Sequence, residues 1–432
     1  MTARERIGNY PSRLREYTNF AVRGIKKVCE ACGPRECGSE AEWKAQQMMV
    51  KDLETCCDSV VTEEFRTAPR AFLGWISICV VFGLLSALAF NFGYAIVSLV
   101  LLGLALLMVV LEFLFYKQAI DFMYRKKTSH NVVGVRKPAG ETKRRIILCG
   151  HADSAYEWRF TYWGDKYFHT TKLLVLVIAL CFGILFFGLV ASVVGLAAGL
   201  GWAGRAAFAD HPALTVIGYI FAGLMLPMML GLLFKNNKRV VMGANDNLSG
   251  CFTSMAVAKL LGDQDLRLDN TELVVLCSGG EECGLRGAKA YVKDHDFSDA
   301  ETVFLSLDTM RDYNDIGIYI NDMTMTVKHD PRVCALMKKA ANTAGFDIPY
   351  CSLFLGASDA AAASQAGLAA AAFAAMDPTP AAYYHTRLDT EKNLDPKTVE
   401  ACLDIALEIV HQFDATGLEP FEGITVKAEK MG

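Results

Sequence analysis

Seven side chains sit where a metal-dependent hydrolysis would need them. His151 and Asp153 directly follow the apolar run RIILCG, and Asp246 lies in GANDNLSG, just before a helical pattern. Glu281 and Glu282 follow TELVVLCSGG, Asp308 follows TVFLSL, and His385 sits in YYHTRLDT. One such residue after a strand is ordinarily a cap or a turn former. Five such clusters in one chain are not explained that way. Carboxylates gathered in one place repel unless cations neutralise them, and no compensating lysine stands beside these. Divalent metal is the economical answer. Two imidazoles with three carboxylates suit zinc, with Mn2+ or Co2+ as substitutes. Two ions roughly 3.5–4 Å apart need a bridging carboxylate. The spare glutamate next to a ligand is then free to act as base on a shared water.

The elements that must position these residues read as an α/β fold, a mostly parallel mixed sheet flanked by helices. Residues from about Asn19 to Glu64 carry apolar positions at helical spacing. Short β-rich runs follow at Asn131–Val135 and Arg145–Gly150, and a helix starts near Leu248. A strand over Thr271–Gly279 precedes a helix around Arg286–Lys293, and another strand lies at Thr302–Leu307. A helix near Pro331–Ala344, the apolar run AAAAFAAM and a final helix over Pro396–Phe413 complete the series. Strands alternating with helices predict a largely parallel sheet covered on both faces, with its site at the carboxyl ends of the strands. All five clusters fall there.

The motifs GHADS, GANDNLSG, EECGLRGAKAY, SLDTM and YYHTRLDT resemble the successive motifs of the twenty-eighth metallopeptidase family. That family holds the bacterial dizinc aminopeptidases, glutamate carboxypeptidase and, as a non-catalytic member, the transferrin receptor. The stretch ACGPRECGSEAEWKAQQMMVKDL is similar to the family's opening helix, so the resemblance runs from about Val28 to Phe413, apolar insertions excepted. It implies two Zn2+ per chain and a peptide substrate. Asp246 would bridge the ions, His151 and Asp308 would complete one, and Glu282 and His385 the other. Glu281 would be the general base, Asp153 would hold the His151 site from behind, and the Tyr384 hydroxyl would stabilise the oxyanion. Ser358 and Asp359 in GASDAA match a family position near the substrate. The histidine that often follows is Ala360 here, which removes one contact.

The chain has 432 residues, a net charge of −4 and 53% hydrophobic residues. The near-balanced charge gives no reason to expect nucleic acid. The apolar excess sits in blocks. Phe72–Tyr116 is almost wholly apolar, interrupted near Asn91–Gly93, and further blocks run over Leu173–Leu200 and Ala213–Phe234. A spanning helix needs about 20 residues, which predicts four transmembrane helices in two hairpins, hence a lipid bilayer as partner. The expected division is a helical part of the peptidase domain at 1–70, hairpins at 71–117 and 172–235, and the rest of the peptidase domain at 118–171 and 236–432.

Arg66, Arg70, Lys117, Arg125, Lys126, Lys127, Lys166, Lys172, Lys235, Lys238 and Arg239 flank one side, whereas the opposite loops carry only Arg205. The positive-inside rule then makes this an integral membrane protein with its catalytic part in the cytoplasm. The 14 cysteines form no strong metal or disulfide spacing (Cys29-x-x-Cys32 lacks a second pair) and suit a reducing compartment. The polar opening MTARERIGNYPSRLREY reads as no signal peptide. About eight residues link Phe234 to Gly243, at most about 3.3–3.6 Å each, which sets Asp246 within roughly 30–40 Å of the bilayer. Trp158, Tyr162 and Trp163 are expected at the interface.

The leading expectation is an exopeptidase of aminopeptidase type. A carboxypeptidase or a glutaminyl-cyclase-like enzyme on the same scaffold is the second. A non-catalytic receptor or scaffold would have lost ligands or Glu281, and none is lost. A transporter would carry more membrane-embedded charge than Glu112. The small residues of Gly195–Gly201 permit close helix packing and a homodimer.

Overall fold

The computed structural model describes residues 2–202, 204, 211–379 and 381–431. Arg205, on which part of the orientation argument rests, lies outside them. The chain divides into two compact units. One comprises Met1–Pro69, Lys126–Tyr156 and Lys238–Gly432, the other Arg70–Arg125 and Glu157–Asn237.

The first unit opens with helices α1 (Ala3–Arg6), α2 (Tyr10–Cys32) and α3 (Glu40–Leu53), and strand β1 (Ser59–Thr67). The helix expected up to Glu64 therefore ends earlier. In SVVTEEFRT the β-branched Val60, Val61 and Thr62 alternate across an edge strand with one exposed face, which blurs the two-residue period. Next come β2 (Lys127–Arg136) and β3 (Arg144–His151). Strands β4 (Tyr156–Trp158) and β5 (Lys235–Val240) form a separate two-stranded ribbon. The large sheet continues with β6 (Thr271–Ser278), β7 (Glu301–Met310), β8 (Ile316–Asp322), β9 (Val327–Lys328), β10 (Tyr350–Ser352), β11 (Ala369–Ala375) and β12 (Lys430–Met431). Its order is β1-β2-β6-β3-β7-β11-β8-β10-β12, with β9 paired to β8.

The centre, β6-β3-β7-β11, is parallel, β1 and β2 run antiparallel to their neighbours, and β8 is antiparallel to β11 but parallel to β10. A mostly parallel mixed sheet is therefore present, as expected. Central strands such as RRIILCGH and TELVVLCS are buried along nearly their whole length, which parallel strands covered on both faces require. Ile146, Leu148, Val275, Leu305 and Phe373 share one core with Ile25, Phe252 and Leu407 from the helices. Gly150 lets β3 press close to the helix Ser249–Asp263, where a Cβ would run into the backbone of Gly250 and Cys251.

The second unit holds α4 (Trp75–Asn91), α5 (Ala95–Met108), α6 (Arg159–Phe168), α7 (Leu173–Ala197) and α8 (Pro212–Met228). Among the described residues, three helical stretches are long and apolar enough to cross a membrane: Ala95–Leu114, Leu173–Ala197 and Pro212–Leu233, of 20, 25 and 22 residues. The fourth expected crossing rests on α4, an apolar helix of 17 residues. Large apolar side chains face outward, among them Leu176 (65% exposed), Phe186 (67%) and Leu226 (76%). Several buried polar groups are hydrogen-bonded inside the unit. Ser98 lies 2.7 Å from both Ser86 and Ser192, and Asn91 Nδ2 donates to Ala87 and Gly218 carbonyls. Trp158, one of the aromatics expected at the interface, packs against Phe234 and is buried.

The insertions leave and return through adjoining backbone. Thr67 pairs with Lys127 at the end of the β1–β2 register, so residues 70–125 replace a hairpin turn. Val241 N donates to Ala155 O at 2.9 Å where residues 157–237 depart and come back.

Four more helices complete the first unit after α9 (Ser249–Asp263): α10 (Arg286–Asp294), α11 (Pro331–Thr343), α12 (Asp359–Gln365) and α13 (Pro396–Thr416).

Candidate metal centre

Each cluster sits at the carboxyl edge of the parallel strands. His151 ends β3, Asp308 lies near the end of β7, and Glu281 and Glu282 stand on the turn after β6. Asp246 is on the turn before α9, and its peptide bond to Asn247 is cis. His385 is on the loop before α13, with positive φ.

The fold draws these residues into two groups that share Asp246. His151 Nε2 is 3.2 Å from Asp246 Oδ1 and 4.0 Å from Asp308 Oδ1. His385 Nε2 is 3.1 Å from Asp246 Oδ2 and 3.2 Å from Glu282 Oε2. Within each group the ligand atoms all lie within 4.8 Å of one another. Glu281 Oε2 is 3.7 Å from His151 Nε2. The separations of 3.1 and 3.2 Å are close to the edges expected when two ligand atoms each sit about 2.0–2.2 Å from one ion. Glu282 Oε1 is buried with no hydrogen-bond partner among the described residues, which a cation would satisfy.

Electrostatics tell the same story. Burial pushes Asp308 up to about 8, helped by Asp246 and Asp359 and opposed by His151. Glu281 is held well above the usual carboxylate range by burial and by Glu282, Asp359 and Asp308. Burial alone would lower His385, but Glu282 and Asp246 outweigh it and raise it to about 10. Asp246 is held low because bonds to His151 and His385 overcome the burial that would raise it. Protons thus take up the negative charge that a divalent cation would neutralise.

Supporting residues hold these groups from behind. The Asp153 carboxylate accepts from Glu281 N (3.0 Å) and Glu282 N (3.1 Å) and lies 3.5 Å from His151 Nδ1. The Tyr384 ring stacks on His385 with centroids 4.0 Å apart, and burial pushes its phenol up. Ser358 and Asp359 are turned into the fold. Ser358 Oγ donates to Asp322 Oδ2 at 2.5 Å, and Asp359 Oδ2 accepts from Ser278 Oγ at 2.5 Å and Cys149 Sγ at 3.3 Å.

Three supporting residues escaped the sequence reading. Asp389 accepts from Asn245 N, Asn245 Nδ2 and Asp246 N at 2.8, 2.7 and 3.1 Å, fixing the turn that carries Asp246. Asn247 ties that turn to β7 through the Leu307 carbonyl at 2.9 Å. The buried Arg35 guanidinium donates to the carbonyls of Ala152, Met242 and Gly243 at 2.7, 2.7 and 2.8 Å, joining three loops. Asp389 stands in YYHTRLDT, Asn247 in GANDNLSG and Arg35 in the opening ACGPRECGSE, so all three were within quoted stretches.

Residues 230–410 match the family model described as Peptidase family M28, a stretch that holds four of the five motifs read in the sequence. None of the curated proteins matches the chain in sequence. Solved structures share the fold. An aminopeptidase from Aneurinibacillus sp. strain AM-1 is 16% identical with a TM-score of 0.55, covering 93% of this chain and 95% of that one. A zinc aminopeptidase from Bacillus subtilis is 16% identical, TM-score 0.54, covering 92% and 95%. A glutaminyl cyclase from Fimbriiglobus ruber is 13% identical, TM-score 0.54, covering 91% and 95%.

Proposed function

We propose that this M28-like chain is a zinc-dependent exopeptidase of aminopeptidase type, anchored in a membrane by its apolar helices. The observation that carries the reading is the pair of three-residue groups sharing Asp246, with Glu281 beside them. His151, Asp246 and Asp308 would hold one ion, and Asp246, Glu282 and His385 the other. Two zinc ions there would acidify a shared water and polarise the scissile carbonyl.

The protein's own groups do the rest. Glu281 takes the proton and delivers it to the leaving amine. Asp153 keeps the His151 ring and the 281–282 turn in register. The Tyr384 hydroxyl donates to the oxyanion of the tetrahedral carbon. Ser358 and Asp359 shape the wall of the site from within the fold, since their hydroxyl and carboxylate are engaged there.

The fold is shared equally by aminopeptidases and a glutaminyl cyclase. The full set of five ligands together with Glu281 favours hydrolysis, because cyclisation needs fewer ligands. Outward apolar side chains on three long helices support the membrane anchor. With α4 as a fourth crossing, every polar segment returns to the lysine- and arginine-rich side, which the positive-inside rule assigns to the cytoplasm.

The test is hydrolysis of aminoacyl amides by detergent-purified protein, with zinc and with chelator. Chelator-sensitive turnover is expected. Turnover that survives complete metal removal would contradict the reading.

A further inference from the structure

Another group of metal-capable side chains adjoins the cluster described above and shares with it only the supporting Asp153. Cys37 is on the loop between α2 and α3, Cys283 is on the turn after Glu282, and Asp153 is on the loop after β3. One ligand atom from each lies within 4.8 Å of the others, and all three residues are buried. Among the described residues no other metal-capable group contains sulfur. The two thiols close over the same backbone. A Cβ on Gly280 would lie 2.8 Å from Cys37 Sγ and 3.4 Å from Cys283 Sγ, and Gly280 has φ +64°. The Thr67 hydroxyl is 3.8 Å from Cys283 Sγ, adding a polar neighbour.

Sulfur changes which ion is chosen. A site of imidazoles and carboxylates accepts zinc, manganese or cobalt, whereas thiolates select zinc and other soft ions. Asp153 Oδ1 accepts Glu281 N and faces His151 Nδ1, whereas Oδ2 accepts Glu282 N and keeps a further lone pair.

We propose that Cys37, Cys283 and Asp153 form a third metal site, for a thiophilic ion of the zinc class. Binding forms two metal–sulfur bonds and one metal–oxygen bond, and the two thiol protons pass to solvent. Three protein ligands leave a fourth position for water. Asp153 also backs His151 and the 281–282 turn, so an ion here pulls directly on the support of the neighbouring site.

Cobalt distinguishes the two sites, because only cysteine ligation gives a thiolate-to-cobalt charge-transfer band. The experiment titrates metal-free, fully reduced, full-length protein in detergent with Co2+ and counts bound zinc separately. The expected result is a near-ultraviolet charge-transfer band saturating at one cobalt per chain, and three zinc ions per chain. In Cys37→Ala and in Cys283→Ser the band should vanish and one zinc be lost, with thermal unfolding confirming that each variant is folded. The wild-type spectrum tests the site even if a variant fails to fold. No band, a band unchanged in both folded variants, or a Cys37–Cys283 disulfide in protein kept under reductant would overturn the proposal. Failure of the two-ion reading would look different, with the band intact and only the other zinc ions missing.

Discussion

At the residue scale everything turns on Asp246, whose two oxygens face two different imidazoles at 3.2 and 3.1 Å. Glu281 is beside His151 but outside both groups that share Asp246, so its removal should separate binding from chemistry. Glu281→Gln should lower kcat by about 10²–10⁴ while metal analysis finds bound zinc unchanged. Asp389 acts one step back, through the backbone of Asn245 and Asp246. Asp389→Ala should weaken metal affinity about 10–100-fold, read by competition with a chromogenic chelator.

The same carboxylates set a pH dependence. Asp308 is raised from 3.8 to about 8 without a cation. Between those values the folded state keeps a proton that the unfolded chain has released, so stability falls as pH rises. Chelator-treated protein should therefore lose thermal stability from about pH 4 to about pH 8, and zinc should abolish or reverse that slope, because the ligands bind it deprotonated.

At the scale of elements, the site is a meeting of loops over four parallel strands, and Arg35 joins three of them. Its guanidinium satisfies buried carbonyls of Ala152, Met242 and Gly243. Arg35→Ala leaves these unpaired at about 1–3 kcal/mol each, so denaturant unfolding should show a loss of about 3 kcal/mol or more. How much of this was legible depended on how local each signal is. Central strands such as RIILCG and TELVVLCS are continuous apolar runs ended by His151 or by the glycines before Glu281, and these were readable. Edge strand β1 was not, because one face is exposed and its neighbour β2 lies some sixty residues away beyond an insertion. Strand β8 and the short β10 escaped too, and their pairings join residues distant in sequence. Asp389, Asn247 and Arg35 were hidden for a related reason: their partners are backbone groups of distant loops, which no spacing along the chain announces.

At the scale of the molecule, two apolar insertions interrupt one α/β unit without breaking its sheet. The first replaces the turn between Thr67 and Lys127, and the second departs where Ala155 bonds Val241. Both entry points are adjacent backbone, so a folded sheet tolerates long excursions there. Three stretches of 20, 25 and 22 apolar residues should keep the protein in the membrane pellet after alkaline carbonate washing, and release into the supernatant would count against the anchor. The central claim is a two-zinc exopeptidase acting from the amino end. Its most direct measurement offers one short peptide in three forms: free at both ends, blocked at the amino end, and blocked at the carboxyl end. Products are identified by mass for the wild type and for Glu281→Gln. The account predicts stepwise loss of amino-terminal residues from the free and carboxyl-blocked forms, none from the amino-blocked form, and none with Glu281→Gln. Release from the carboxyl end alone, or equal turnover by the variant, would contradict it.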